Sequence, residues 1–232
     1  MQSTIKFVSL ILLIILCPNS GCRQDKYNPF STEDHIAALV LARGGSKGIK
    51  LKNLSHIGNQ TLLEISLGVL KQVKGLDSIW VSTDHTRIAE TAENENVNIH
   101  WRSAESATDT ASSLFAVQEF LKYHPEVNKI GLIQCTSPFI KPHYIQRAVS
   151  FMRNDQECVF SVSRSYKLRW IEKDQKVVPL NFDPQKRPRR QEFKGELVEN
   201  GMFYFTTRNL IEQGVLQSSN CKIVEIPPYE DL

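Results

Sequence analysis

The sequence is poor in the features that would assign it quickly. Its five cysteines in 232 residues fall at no metal-ligand spacing. Cys17 and Cys22 lie in or beside the N-terminal apolar run. Cys135, Cys158 and Cys221 are therefore expected to be buried core thiols, not a disulfide framework. There is no G-x-x-x-x-G-K-[ST] loop and no G-x-G-x-x-G fingerprint, which sets aside P-loop and dinucleotide-binding readings. No internal repeat or long low-complexity stretch occurs. The formal charge of +3 is too small to argue for nucleic acid by itself. The longest apolar run falls short of the ~20 residues that cross a bilayer as a helix.

What is present is an ordinary globular composition, 41% hydrophobic and 23% charged, in a chain long enough for one sizeable domain. Residues 1–22 stand apart. Lys6 precedes an apolar run of about 11 residues, and Pro18 to Cys22 are mostly small or turn-forming, the layout of a secretory signal peptide. A short uncleaved anchor is the alternative. Residues 23–34 are polar, carry Pro29, and read as a linker. The domain is expected over 35–232.

Within it, strand-like and helix-like stretches alternate. Residues 36–42 form a continuous apolar run expected to be a buried strand. Helical patterns follow at 62–73, with Thr61 and Glu64 as a capping box, at 87–95, at 110–123 with Asp109 and Thr110 as its cap, and at 142–152. Strands are expected at 78–82, 97–101, 129–134 and 158–162. This alternation argues for an α/β parallel sheet covered on both faces, with ligands outside the carboxyl ends of its strands. Residues 164–200, rich in charge and proline, break the pattern and read as an inserted arm. A strand, a helix and a last strand are expected at 201–206, 208–213 and 222–226.

The chemistry concentrates after the first strand, in Leu41-Ala-Arg-Gly-Gly-Ser-Lys-Gly-Ile-Lys-Leu-Lys-Asn53. Gly44, Gly45 and Gly48 would let the backbone turn and direct its amides at anionic oxygens. Arg43, Lys47, Lys50 and Lys52 add the positive charge a triphosphate needs. Asp84 either lines this pocket or caps the next helix. Asn53-Leu-Ser55 and Asn59-Gln-Thr61 are glycosylation sequons, and Asn59 is the better placed because a glycan on Asn53 would obstruct the loop.

Ala-Arg-Gly-Gly-Ser-Lys-Gly followed by Leu-Lys-Asn resembles the N-terminal signature of CMP-sialic acid synthetases of the animal type. Further motifs follow in the family's order over about residues 36–226: Val81-Ser-Thr-Asp84, Arg102 with Asp109-Thr-Ala-Ser-Ser113, Gln134-Cys-Thr-Ser-Pro138, Lys186-Arg-Pro-Arg-Arg-Gln191 and Gly195-Glu-Leu-Val-Glu-Asn-Gly201.

The resemblance implies a Rossmann-like nucleotidyltransferase that joins CTP to an N-acylneuraminate and releases pyrophosphate. It implies catalytic roles for Arg43, Lys47 and Lys52. It implies CTP contacts from Arg43, Gly44, Gly45, Ser46, Lys47, Lys52, Asn53, Arg102 and Ser113, and sugar contacts from Gln134, Arg189, Arg190 and Gln191. It also implies that the arm at 164–200 is a dimerisation subdomain of a homodimer or higher homo-oligomer, and that a divalent cation such as Mg²⁺ takes part. The family's metal-binding Asp-x-Asp pair would fall just past Leu232, so the chain is expected to be truncated there and its metal ligands are unassigned, with Asp84 and Glu230 as substitutes.

A catalytically impaired binding or regulatory subunit, or a cytidylyltransferase for a related acidic sugar, are the alternatives. The run 186–190 also fits a nuclear import or nucleic-acid patch. The leader argues instead for the Golgi apparatus, with no nucleic-acid partner and with membrane contact only through an uncleaved leader.

Overall fold

In a computed structural model of the chain, residues 35–46 and 48–231 are described. The expected leader and linker, together with Lys47 and Leu232, lie outside them. The strands are β1 (Ile36–Leu41), β2 (His56–Ile57), β3 (Gln60–Thr61), β4 (Ser78–Thr83), β5 (Asn98–Trp101), β6 (Lys129–Ile133), β7 (Cys158–Ser165), β8 (Trp170–Lys173), β9 (Lys176–Pro179), β10 (Glu196–Thr207) and β11 (Lys222–Ile226). The α-helices are α1 (Leu62–Leu70), α2 (Thr86–Asn94), α3 (Ser113–Tyr123), α4 (Pro142–Arg153) and α5 (Arg208–Glu212).

Seven strands form one sheet in the order β11-β7-β10-β6-β1-β4-β5. β1 is an interior strand, between β6 and β4, and is apolar throughout because both its faces are covered. Ile36, Ala38 and Val40 meet Leu67 of α1, Ile88 of α2 and Val149 of α4 in one core, while Ala37 and Leu39 meet Val117 and Phe120 of α3 and Ile211 of α5 in the other. The Thr61–Glu64 capping box forms as the sequence implies, with Glu64 N–H donating to Thr61 Oγ1 at 3.1 Å and Thr61 N–H to the Glu64 carboxylate at 2.6 Å.

Four differences from the sequence reading matter. First, the sheet is mixed, not wholly parallel. β10 lies antiparallel between β6 and β7 and carries a register shift between Glu199 and Tyr204, where Gly201 adopts φ +74°. A long arm precedes β10, so the chain re-enters the sheet without a crossover helix to fix its direction.

Second, α3 starts at Ser113. Ser112, not Asp109 or Thr110, caps it by accepting Phe115 N–H at 3.1 Å. Third, Cys158 and Cys221 form a disulfide, and only Cys135 is a free buried thiol among the described residues. β7 and β11 run parallel with Lys222 opposite Val159, so their preceding residues meet at a Cα separation of 4.5 Å. A cysteine count cannot reveal that register.

Fourth, the arm is shorter than 164–200, because β7 runs on to Ser165 and β10 starts before residue 200. β8 and β9 form a separate antiparallel hairpin, and β10 already begins at Glu196. The hairpin is tied to β10 by the two-pronged Arg169–Glu196 ion pair at 2.7 and 2.9 Å and by Asn181 Nδ2 donating to the same carboxylate at 2.7 Å.

Candidate functional site

From β1 the chain passes by α1 to β4 and then to β5 on one side, and later returns to β6 on the other side of β1. The crevice outside the carboxyl ends of β1 and β6 is thus a topological switch point, where open α/β sheets bind ligands. A cleft lies there. Its walls include Arg43, Gly45, Ser46, Lys52 and Asn53 after β1, Arg102 after β5, Ser112 and Ser113 at the start of α3, and Gln134 and Cys135 after β6. Eight residues assigned from sequence therefore line one cavity: Arg43, Gly45, Ser46, Lys52, Asn53, Arg102, Ser113 and Gln134. Among the described residues three cations line it and no carboxylate does.

The loop after β1 is braced from outside itself. Gly44 N–H donates to Asp84 Oδ1 at 2.7 Å, so its amide faces a carboxylate already in place. A Cβ at Gly44 would lie 2.6 Å from the His85 ring, so glycine is required there by close approach. Gly45 and Gly48 have open space, and neither adopts positive φ. Gly44 and Gly48 nevertheless lie at bends of the loop, as the turn reading expects. Asp84 does not cap α2 either, since His85 Nδ1 accepts Arg87 N–H at 3.2 Å in that position.

Asn53 is buried and both ends of its amide are engaged. Nδ2 donates to the Arg43 carbonyl at 3.3 Å, and Oδ1 accepts from Cys135 Sγ at 2.9 Å. Burial pushes the Cys135 thiol up to about 12, so it stays protonated and acts as a donor, not a nucleophile. Asn53 is thus a strut joining the loops after β1 and β6, and its sequon is inaccessible in the folded protein. Asn59 is exposed in the β2–β3 turn.

The cations are held differently. The Arg43 guanidinium pairs with Asp109 at 2.6 Å, which explains why Asp109 leaves the helix start. Lys52 forms no salt bridge with any described residue. Arg102 donates from Nε to Ser106 Oγ at 3.4 Å and from Nη2 to the Ser106 carbonyl. Burial draws its pKa down while Asp84 acts in the opposite sense, and an arginine remains cationic through such a shift. Together these groups make a polar, positively charged slot suited to a polyanion flanked by a planar, hydrogen-bonding group.

Arg189, Arg190 and Gln191 are exposed on the arm and do not line the cleft. Arg190 lines a second depression with Arg164, Tyr166, Lys167, Arg169 and Asp231. The described residues contain no group of three or more His, Cys, Asp or Glu side chains placed to hold a metal. Glu230 is engaged by Lys141 and Tyr144, each at 2.8 Å, and Asp84 by Gly44. These residues do not by themselves form a site for the expected divalent cation. Sequence reasoning missed Cys135 and Ser106 as braces and named Asp84 beside the pocket without its Gly44 partner, because these partners lie up to 82 positions away or on backbone atoms.

Comparison with known proteins agrees with this geometry. A family profile described as Cytidylyltransferase matches residues 37–230. The chain is 43% identical over 199 residues to N-acylneuraminate cytidylyltransferase A of Danio rerio, covering 84% of this chain and 46% of that protein. It is 44% identical over 199 residues to N-acylneuraminate cytidylyltransferase of Oncorhynchus mykiss, with the same two coverages. The chain thus spans about half the length of the curated relatives it matches.

Among solved structures it is similar to CMP:2-keto-3-deoxy-manno-octonic acid synthetase complexed with CTP, with a TM-score of 0.63 and 18% identity over 83% of this chain and 90% of that one. It is also similar to 4-diphosphocytidyl-2C-methyl-D-erythritol synthase from Anaerococcus prevotii, with a TM-score of 0.62 and 16% identity over 86% and 92%. At these identities the structures speak for the Rossmann-like fold alone. With the family match running from the first strand past the last, over the same loops that build the cleft, the chain belongs to the cytidylyltransferase family.

Proposed function

We propose that this chain carries the nucleotidyltransferase site that joins CTP to an N-acylneuraminate, giving CMP-sialic acid and pyrophosphate. The observation that carries the reading is the gathering of Arg43, Lys52, Arg102, Ser113 and Gln134, from the connections after β1, β5 and β6, around one cleft at the switch point that no carboxylate lines among the described residues. The fish relatives' names support the choice of sugar.

In this reading the anomeric hydroxyl of the sugar attacks the α-phosphorus. A new oxygen–phosphorus bond forms, the bond from the α-phosphorus to the bridging oxygen breaks to release pyrophosphate, and the hydroxyl proton passes to solvent. Catalysis of such a step rests on positioning and charge stabilisation. Arg43, steadied by Asp109, and Lys52 neutralise the phosphates, aided by the Gly45 and Ser46 backbone and by Lys47, which lies outside the described residues. Arg102 and Ser113 hold the cytidine, and Gln134 meets the sugar. A divalent cation, Mg²⁺ by the family resemblance, would lower the charge on the phosphates.

Two further parts of the proposal concern assembly and place. The arm presents Trp170, Ile171, Val177 and Val198 to solvent, each at least 46% exposed, and an isolated two-stranded hairpin is marginal alone. A second copy of the chain would cover it and bring Arg189, Arg190 and Gln191 to the partner's sugar site. The leader pattern and the Cys158–Cys221 disulfide favour an oxidising compartment, the Golgi apparatus in our reading.

The test is incubation of the purified chain with CTP, N-acetylneuraminate and Mg²⁺, following pyrophosphate and CMP-sialic acid. Formation of both is expected. CTP binding without product at saturating substrates would replace the enzyme by a nucleotide-binding subunit. Faster turnover of another acidic nine- or eight-carbon sugar in direct competition would reassign the substrate.

A further inference from the structure

The cleft's base-proximal cation, Arg102, is not held by a neighbouring carboxylate. It is held by a turn. Its guanidinium donates to the Ser106 hydroxyl and carbonyl, and Ser106 is fully buried. That turn is closed by Ala107 N–H to the Ser103 carbonyl at 3.1 Å and by Ser106 N–H to Ser103 Oγ at 3.1 Å. Its first amide, Ser103 N–H, donates to Glu119 Oε1 at 2.7 Å. Glu119 sits on α3, less than two turns beyond Ser113, whose end of the helix lines the same cleft.

One rigid helix therefore presents Ser113 to the cleft directly and fixes Arg102 through Glu119. Its other carboxylate oxygen, Oε2, is buried and has no hydrogen-bond partner among the described residues. Packing alone would not choose a carboxylate there, since an unpaired buried oxygen costs stability.

We propose that Glu119 is a positioning residue for the cytidine end of the cleft, acting through the Ser103–Ser106 turn on Arg102. The inference rests on the nucleotide reading given above. It assigns a role in nucleotide recognition to a helix residue that does not line the cleft.

The experiment is calorimetric titration of CTP into the full chain and its Arg102→Ala, Glu119→Ala, Glu119→Gln and Glu119→Asp variants and the Arg102→Ala/Glu119→Ala double variant, with circular dichroism to confirm folding. Loss of a hydrogen bond to a charged group predicts about tenfold weaker CTP binding for Glu119→Ala. Glu119→Gln keeps an oxygen within reach of Ser103 N–H and is expected to stay within about twofold of wild type, while Glu119→Asp keeps the charge, falls a methylene short and loses affinity like alanine.

On the Arg102→Ala background, Glu119→Ala is expected to add nothing, because the two act as one unit. An additive loss, a wild-type-like Glu119→Ala, or a folded Glu119→Asp with wild-type affinity would overturn the assignment. Should Arg102→Ala itself leave CTP affinity unchanged, the nucleotide reading of the cleft fails instead. If Glu119→Ala does not fold, the contrast between aspartate and glutamine decides alone.

Discussion

The loops around the cleft and the arm after β7 treat their exposed groups in opposite ways. Around the cleft, the braces close within the chain: Asp84 on Gly44, Asp109 on Arg43, Cys135 on Asn53, Ser106 on Arg102. The arm leaves Trp170, Ile171 and Val177 in solvent, and its hairpin is tied to β10 by the Arg169–Glu196–Asn181 cluster. A region completed by its own residues is preorganised for a small ligand. A region that presents apolar side chains at the end of a hairpin is completed by something else, in our proposal a second copy. Nucleotide binding should therefore be a property of the single chain, and sugar transfer a property of the pair.

The largest effect that would break this contrast concerns the root of the arm. Reducing the Cys158–Cys221 bond, or replacing both cysteines by serine, opens a loop spanning 63 positions and is expected to lower stability by about 4 kcal/mol on the chain-entropy account. Denaturant melts with and without reductant measure it. CTP affinity of the folded fraction should not change, and a parallel loss of affinity would erase the distinction between the two regions.

Next comes Gly44→Ala, which sets a methyl against His85 at 2.6 Å. Relieving that clash requires the loop or His85 to move, costing about 1–3 kcal/mol. Unlike the disulfide variants, it is expected to weaken CTP binding as well as lower the melting temperature. Loss of stability alone would mean that the loop's shape is not what holds phosphate.

A smaller change is expected from Val177→Asp with Ile171→Asp on the hairpin. Placing charge on an apolar contact should shift a dimer toward monomer in sedimentation velocity and reduce turnover about tenfold or more, with CTP affinity unaltered. A wild-type chain that sediments as a monomer and turns over normally would remove the arm from the account.

The smallest effect lies beneath the cleft. His100 packs against Phe120 and His124, and its pKa is pushed down, first by burial and then by His124, against the pull of Glu119. Folded His100 binds protons less readily than unfolded His100. Stability is therefore expected to rise with pH from the folded pKa up to about 6.5 and to be lost as pH falls below 6.5. Urea melts between pH 5 and 8 should show this slope, and His100→Phe should flatten it. An unchanged slope would place the proton elsewhere.

How far the sequence revealed this molecule follows the same division. β1 is legible because six apolar residues in a row need cover on both faces, and α1 because Thr61 and Glu64 recognise each other three residues apart. Arg43, Gly45 and Lys52 are legible because glycines and cations cluster just after the first strand, whereas Ser46, Asn53, Arg102, Ser113 and Gln134 are reached through the family resemblance. The braces are not legible. Asp84 finds Gly44 across 40 positions and Cys135 finds Asn53 across 82, and nothing local marks either pair.

Asp109 looks like a helix cap until Arg43, 66 positions earlier, captures it and leaves capping to Ser112. The β8–β9 hairpin is hidden by its charged, half-exposed strands, which lack the alternation that a buried face imposes. Cys158 and Cys221 become partners only through the register of β7 and β11.

The central claim is that the cations lining the cleft grip the phosphates of CTP. Calorimetric titration of CTP into the folded wild-type chain and its Arg43→Ala/Lys52→Ala variant tests it most directly. Loss of two charge-assisted contacts predicts a drop in affinity of about a hundredfold or more, with cytidine itself binding equally to both proteins. Equal CTP affinity in the two folded proteins would contradict it.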